Sequence, residues 1–311
     1  MTTSNSIDGA TVAPRFAPFN IISLDYKQVK GVGIPLSILI PKQLKKGKHP
    51  IANGPSPSPS PTISLAPDYR LLPSSNGLDI LSDAEDFYTW LFSPNTLTAH
   101  LPAGILPDLT SVLVTGESAG GWHALQAGLL HPSRITAIIA HYPMIDLASP
   151  HFSQPPPPNH PKQIFSPPQP QADPSLLITY LSTLSGQEII PNRIPPDGDI
   201  NVLIMLQQGL YPHYFGTDPR LYPLEVLERV EGFPPMWVLH GEGDSVVPVE
   251  GTRRFVEAFE AKARGREAWG PLFVSYKEGA EHGFDLGDDG VGWREEGIRF
   301  IERFWPVREE E

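Results

Sequence analysis

The chain contains no cysteine. That excludes disulfides, thiolate-held metals and a cysteine nucleophile, while leaving the compartment open. It also lacks any run near the roughly 18 apolar residues that a membrane-crossing helix needs. Its opening, MTTSNSIDGATVAPRF, holds no apolar stretch of signal-peptide length, so the expected location is the cytoplasm. Basic charge is scarce: 23 Lys and Arg stand against 35 Asp and Glu, for a net charge of -12. A deficit of that size argues against nucleic acid or an anionic membrane surface as the main partner. The 311 residues are enough to bury a sizeable core, and 40% hydrophobic with 19% charged residues is ordinary for a globular protein.

Proline is plentiful, at 37 residues, and it is concentrated in two tracts. One is PSPSPSPT, residues 55–62; the other runs from Pro150 to Pro174. Proline has no N–H and a fixed φ, so both tracts read as extended linkers or surface loops rather than regular helix or central strand.

Between the tracts, strand and helix patterns alternate. Residues 21–29 and 34–41 predict a hairpin, and 62–69 a short strand. Ile80, Ala84, Phe87 and Leu91 share one helical face. Strand 111–116 leads into helix 118–130 and then strand 135–143. After the second tract, 201–215 is helical, 235–241 and 271–279 are strands, and 249–264 is a helix. A last helix carries Ile298, Ile301 and Trp305. Such alternation implies an α/β fold, a mostly parallel sheet with helices on both faces. The expected organisation is a tail (1–19), one domain (20–305) with residues 147–225 inserted as a proline-rich cap, and a second tail (306–311).

Gly116-Glu117-Ser118-Ala119-Gly120 has the spacing G-x-S-x-G, after an apolar strand and before a helix, as a nucleophile elbow requires. Flanking glycines permit the sharp turn, and the helix N-terminus puts backbone N–H groups near a developing oxyanion. A serine needs a base, and the base an orienting carboxylate. Asp244, in LHGEGDSVVP, and His282, in GAEHGFD, both follow strands and complete the order Ser, acid, His. Glu242 and Asp146 are competing acids. His123, His131, His141, His151, His160 and His213 lack strand-end context beside an acid and read as structural or solvated.

GESAGG, DYRLLP, HGEGDSVVP and EHGFD, in this order, resemble the hormone-sensitive-lipase-like branch of the α/β-hydrolases, also called the alpha/beta hydrolase-3 group, with details closest to fungal members. The resemblance spans roughly residues 20–305. It implies an α/β-hydrolase fold on an eight-stranded sheet and a carboxylic-ester hydrolase working through an acyl-enzyme. It carries the nucleophile onto Ser118, the acid onto Asp244, the base onto His282 and one oxyanion N–H onto Ala119. Asp68, Tyr69 and Arg70 match a motif read as structural. No metal or cofactor is implied, and the partner is a small-molecule ester in small-molecule metabolism. One feature departs from the branch: its His-Gly-Gly-Gly loop, which supplies further oxyanion donors, is absent. Residues 51–62 alone remain for a strand, a loop and a helix, so the third strand and its helix are expected to be missing or replaced by a loop. Weak activity is therefore expected, with an inactive hydrolase-fold binding protein as the alternative.

Overall fold

The computed structural model describes residues 16–54, 61–157, 159–186, 188–191, 197–286 and 292–305. Eight strands, β1 (Phe19–Val29), β2 (Val32–Pro41), β3 (Gly47–Asn53), β4 (Ile63–Pro67), β5 (Ile105–Glu117), β6 (Ala137–His141), β7 (Met236–Gly241) and β8 (Leu272–Lys277), make one sheet. Its order is β1-β2-β4-β3-β5-β6-β7-β8. The first hairpin and the β2/β4 pair are antiparallel; every other pair is parallel. The helices are α1 (Gly77–Phe92), α2 (Ala119–Leu130), α3 (Pro150–Ser153), α4 (Ser175–Thr183), α5 (Asp197–Gln208), α6 (Tyr211–Phe215), α7 (Pro223–Leu227), α8 (Val249–Ala263) and α9 (Glu295–Glu302). Among the described residues no helix is long and apolar enough to cross a membrane.

Side chains alternate across the sheet, as the strand period demands. Ile51, Val112, Val114, Ile138, Met236 and Val238 join α1, α2 and α8 in one core. Ala52, Leu113, Ile139, Trp237 and Leu239 point the other way, onto Phe300 and Ile301 of α9 and onto Trp305. On this second face the outer strands carry Ser23, Ser37, Ser64 and Ala66, all half-buried or exposed. Ser23 pairs with Ser37, and Ser37 with Ala66. Ile21, which is exposed, and the half-buried Leu39 share that face, so this corner of the sheet mixes serines with uncovered apolar side chains.

The expected loss of the third strand is corrected. Gly47–Asn53 forms β3, inside the sheet between β4 and β5. Its sequence, GKHPIAN, hides it, because Pro50 belongs poorly in a central strand. The sheet accommodates Pro50 at an irregularity in the β3/β5 register, between Pro50 and Ile51. The following connection needs no helix. Ile51 pairs with Ile63 and Asn53 with Leu65, so the chain must return only two residues along the strand. That is roughly 7 Å, and nine residues, 54–62, are available for it. Most of this link, 55–60, lies outside the described residues.

The stretch between β6 and β7 holds α3 to α7 and shares an apolar cluster with α1 and α2, including Ile80, Trp122, Met144, Phe152, Leu206, Phe215 and Val246. Its proline tract is not wholly irregular, since Pro150 opens α3 as the first helical residue, where its missing N–H has no intrahelical role. A buried ion network anchors α1: Arg70 pairs with Asp83 at 2.9 Å and Asp79 at 2.6 Å, and Lys27 of β1 reaches Asp83 at 2.7 Å. This supports the structural reading of Arg70.

Candidate active site

Ser118 sits between β5 and α2 with φ 55° and ψ -115°. A non-glycine residue held there stores roughly 1–3 kcal/mol of strain. The elbow depends on its glycines. A Cβ on Gly116 would lie 2.1 Å from Gly120 O, and one on Gly121 would lie 2.8 Å from Pro143 Cα. Two backbone bonds fasten the turn: Ser118 N–H donates to His141 O at 2.9 Å, and Met144 N–H to Ser118 O at 3.1 Å. The Ser118 hydroxyl does not cap the helix. Ala119 is the first residue of α2, so its N–H has no intrahelical acceptor.

Asp244 and His282 are brought together. His282 Nδ1 lies 2.7 Å from Asp244 Oδ2. The other carboxylate oxygen, Oδ1, accepts from Val246 N–H at 2.9 Å and Val247 N–H at 2.8 Å. A fourth donor comes from His240, whose role the sequence did not reveal. His240 Nε2 faces Val247 O at 2.8 Å and Asp244 Oδ2 at 3.3 Å. Both are acceptors, so Nε2 carries the proton and Nδ1 accepts from the Thr252 hydroxyl at 2.8 Å. Burial alone would raise the Asp244 pKa; hydrogen bonds from His240 and His282, with the His282 charge, hold it below the usual carboxylate value.

Glu281 ties the two loops together. It accepts from Ser245 N–H at 2.7 Å and His282 N–H at 2.8 Å through one oxygen, and meets the Ser245 hydroxyl at 2.9 Å through the other. The Tyr142 ring lies edge-on to His282, centroids 4.6 Å apart. Tyr142 directly follows His141, whose carbonyl holds Ser118, so His282 is set at the Ser118 end of the sheet. Among the described residues no hydrogen bond joins Ser118 to His282. The rival acids are engaged elsewhere: Glu242 with Arg253 at 2.5 Å, and Asp146 with Arg254.

Glu117, His141 and Asp285 bring one donor atom each within 4.8 Å of one another. Hydrogen bonds account for much of this group. Asp285 meets His141 Nδ1 at 2.7 Å and accepts from the Tyr142 hydroxyl at 2.8 Å. The contacts brace the loop after His282, and their only sequence trace is an aspartate three residues beyond it.

Ser118 and Ala119 line a cavity of about 250 Å³ with mostly apolar walls, among them Leu72, Trp122, Met144, Leu206 and Phe215. A second cavity, about 330 Å³, opens at the ends of β3, β4 and β5 and includes Asn53, Gly54 and Gly120. Asn53 ends β3 and Gly54 begins the link that stands where a glycine loop would, and each has a donor engaged elsewhere. Gly54 N–H donates to Leu65 O at 2.8 Å, and Asn53 Nδ2 to the Tyr88 hydroxyl at 2.8 Å.

The strand order, the strained elbow and the loops that follow β7 and β8 define the α/β-hydrolase class. No protein-family model matches the chain. It is 33% identical over 253 residues to the probable carboxylesterase M8 of Phoma sp., covering 78% of this chain and 75% of that one. It is 35% identical over 194 residues to the probable carboxylesterase clz11 of Cochliobolus lunatus, covering 60% and 87%. Among solved structures it resembles Thermogutta terrifontis esterase 2 phosphoramylated by tabun, with a TM-score of 0.59, 19% identity, and 96% and 98% of the two chains covered. The chain belongs to this carboxylesterase family, in the hormone-sensitive-lipase-like branch, and is a carboxylic-ester hydrolase.

Proposed function

We propose that the chain hydrolyses a small carboxylic ester through Ser118, His282 and Asp244 by way of an acyl-enzyme. The carrying observation is the His282–Asp244 pair, 2.7 Å apart, set at the sheet edge where Ser118 is held at positive φ. Asp244 orients His282. His282 Nε2 takes the Ser118 proton as Oγ attacks the carbonyl, then returns it to the departing alcohol; water repeats the sequence to release the acid. The Ser–His contact is the part that substrate must tighten, as hydrogen bonds at empty sites often lengthen. The segment 147–225 serves as a cap over an apolar acyl or alcohol group, and its walls make substrates with exposed charge poor fits. Turnover is low for the family, because the sequence has no His-Gly-Gly-Gly loop and, among the described residues, Gly54 N–H and one Asn53 Nδ2–H are engaged elsewhere.

The test is labelling by a fluorophosphonate. Wild type takes up one equivalent on Ser118, Ser118→Ala takes up none while keeping its fold, and His282→Ala labels far more slowly. A folded Ser118→Ala protein that still labels would show the nucleophile to be elsewhere.

A further inference from the structure

The cavity beside Ser118 has four other polar side chains in its wall: Tyr69, Trp122, His123 and Tyr211. Two are committed within the protein. The Trp122 indole N–H donates to Leu221 O at 2.8 Å, and the Tyr211 hydroxyl to Met144 Sδ at 3.8 Å. His123 Nε2 has no partner but is shut away from solvent. The Tyr69 hydroxyl has no hydrogen-bond partner among the described residues and is not sealed off in this way. Tyr69 also lines both cavities, the one with Ser118 and Ala119 and the one with Asn53 and Gly54. It therefore stands between the serine and the side of the site from which a loop after β3 would bring its amides.

We propose that the Tyr69 hydroxyl acts with Ala119 N–H as the second oxyanion donor of this esterase, in the place of the absent glycine loop. The proposal rests on Ser118 being the nucleophile. As Ser118 Oγ bonds to the carbonyl carbon, its proton passes to His282 and the C=O π pair moves onto oxygen. Tyr69 donates a hydrogen bond to that oxygen and keeps its proton. When the tetrahedral adduct collapses, C=O reforms, the alcohol leaves with the proton from His282, and Tyr69 is unchanged. A phenol is suited to this part, since a neutral O–H aimed at developing charge stabilises it without adding a counter-charge to the resting site. Burial, and then the nearby Asp68 charge, raise the Tyr69 pKa, so the donor stays protonated wherever the esterase works. The His123 ring packs 4.1 Å from the Tyr69 ring at 47° and limits its swing. Burial pushes the His123 pKa down to about 4, so this neighbour is neutral near pH 7. His123 is thus a positioning residue for Tyr69.

Tyr69→Phe removes one oxygen and tests the idea with three probes: p-nitrophenyl butyrate, a trifluoromethyl ketone that mimics the tetrahedral adduct, and the fluorophosphonate. The expected result is a fall in kcat of about 10²-fold, the scale of one lost oxyanion donor, with KM within about twofold. The ketone should weaken by a similar factor, and mass spectrometry should still find the phosphonate on Ser118 after long exposure. A tyrosine with a merely structural role would not move kcat and ketone affinity together. Site-specific 3-fluorotyrosine at position 69 keeps the shape, and hence the fold, and is the stronger donor; it should tighten the ketone. A Tyr69→Phe protein whose kcat stays within about threefold of wild type overturns the proposal, as does ketone affinity unmoved by either replacement. An adduct on another residue instead sinks the nucleophile reading, whichever way kcat moves.

Discussion

At the scale of the residue, the carboxylate of Asp244 is fully used. Two backbone amides hold one oxygen, and two histidines share the other. Such an acid is fixed in place and in charge, which is what an orienting group requires. Asp244→Asn should therefore lower kcat by about 10⁴. Glu242→Gln should leave it within a few-fold, because Glu242 faces outward onto Arg253. Steady-state kinetics of the two variants decide between the acids, and a larger loss at Glu242 would reverse the assignment. Ser118, Asp244 and His282 could be proposed from the sequence because each follows an apolar strand in a short motif, and the structure brings Asp244 and His282 together. The contact of His240 with Asp244 and the part proposed for Tyr69 could not be. One rests on a tautomer that only its three neighbours fix, the other on a hydroxyl that no other described residue uses, and neither property exists before the chain is folded.

At the scale of the element, periodicity revealed most of the sheet and the long helices, since their apolar residues recur at the spacing of the structure they form. It missed β3, where proline interrupts a short apolar run and the register irregularity that tolerates it is a tertiary feature. It also split differently from the structure at 201–215, where α5 and α6 are separate helices around Gly209 and Leu210. The corrected boundary sharpens an engineering test. Since β3 is in place through Asn53, residues 54–62 can be exchanged for a His-Gly-Gly-Gly loop and crossover from a relative without rebuilding the strand. If the missing amides limit turnover, kcat on a short-chain p-nitrophenyl ester should rise by about 10²–10³. Equal rates in two folded proteins would show that the existing donors already suffice.

At the scale of the whole molecule, the proposed cap is bound to the sheet's helices through a shared core, so the substrate cavity and the stability of α1 and α2 are parts of one unit. The ion network that anchors α1 has a further consequence, for ionic strength. Asp83 is fully buried, and Arg70 nearly so, and dissolved ions screen such pairs little. The rest of the charge lies largely at the surface and is lopsided, at -12, and self-repulsion of that kind weakens a folded state. Raising salt from about 0.01 M to 0.15 M shortens the screening length from roughly 30 Å to 8 Å. It should quiet the repulsion while leaving the Arg70–Asp83 attraction nearly intact. Sodium chloride over that range is therefore expected to raise the melting temperature in a calorimetric scan. A fall instead would mean that exposed pairs such as Arg299–Glu295 carry more of the stability than the buried network does.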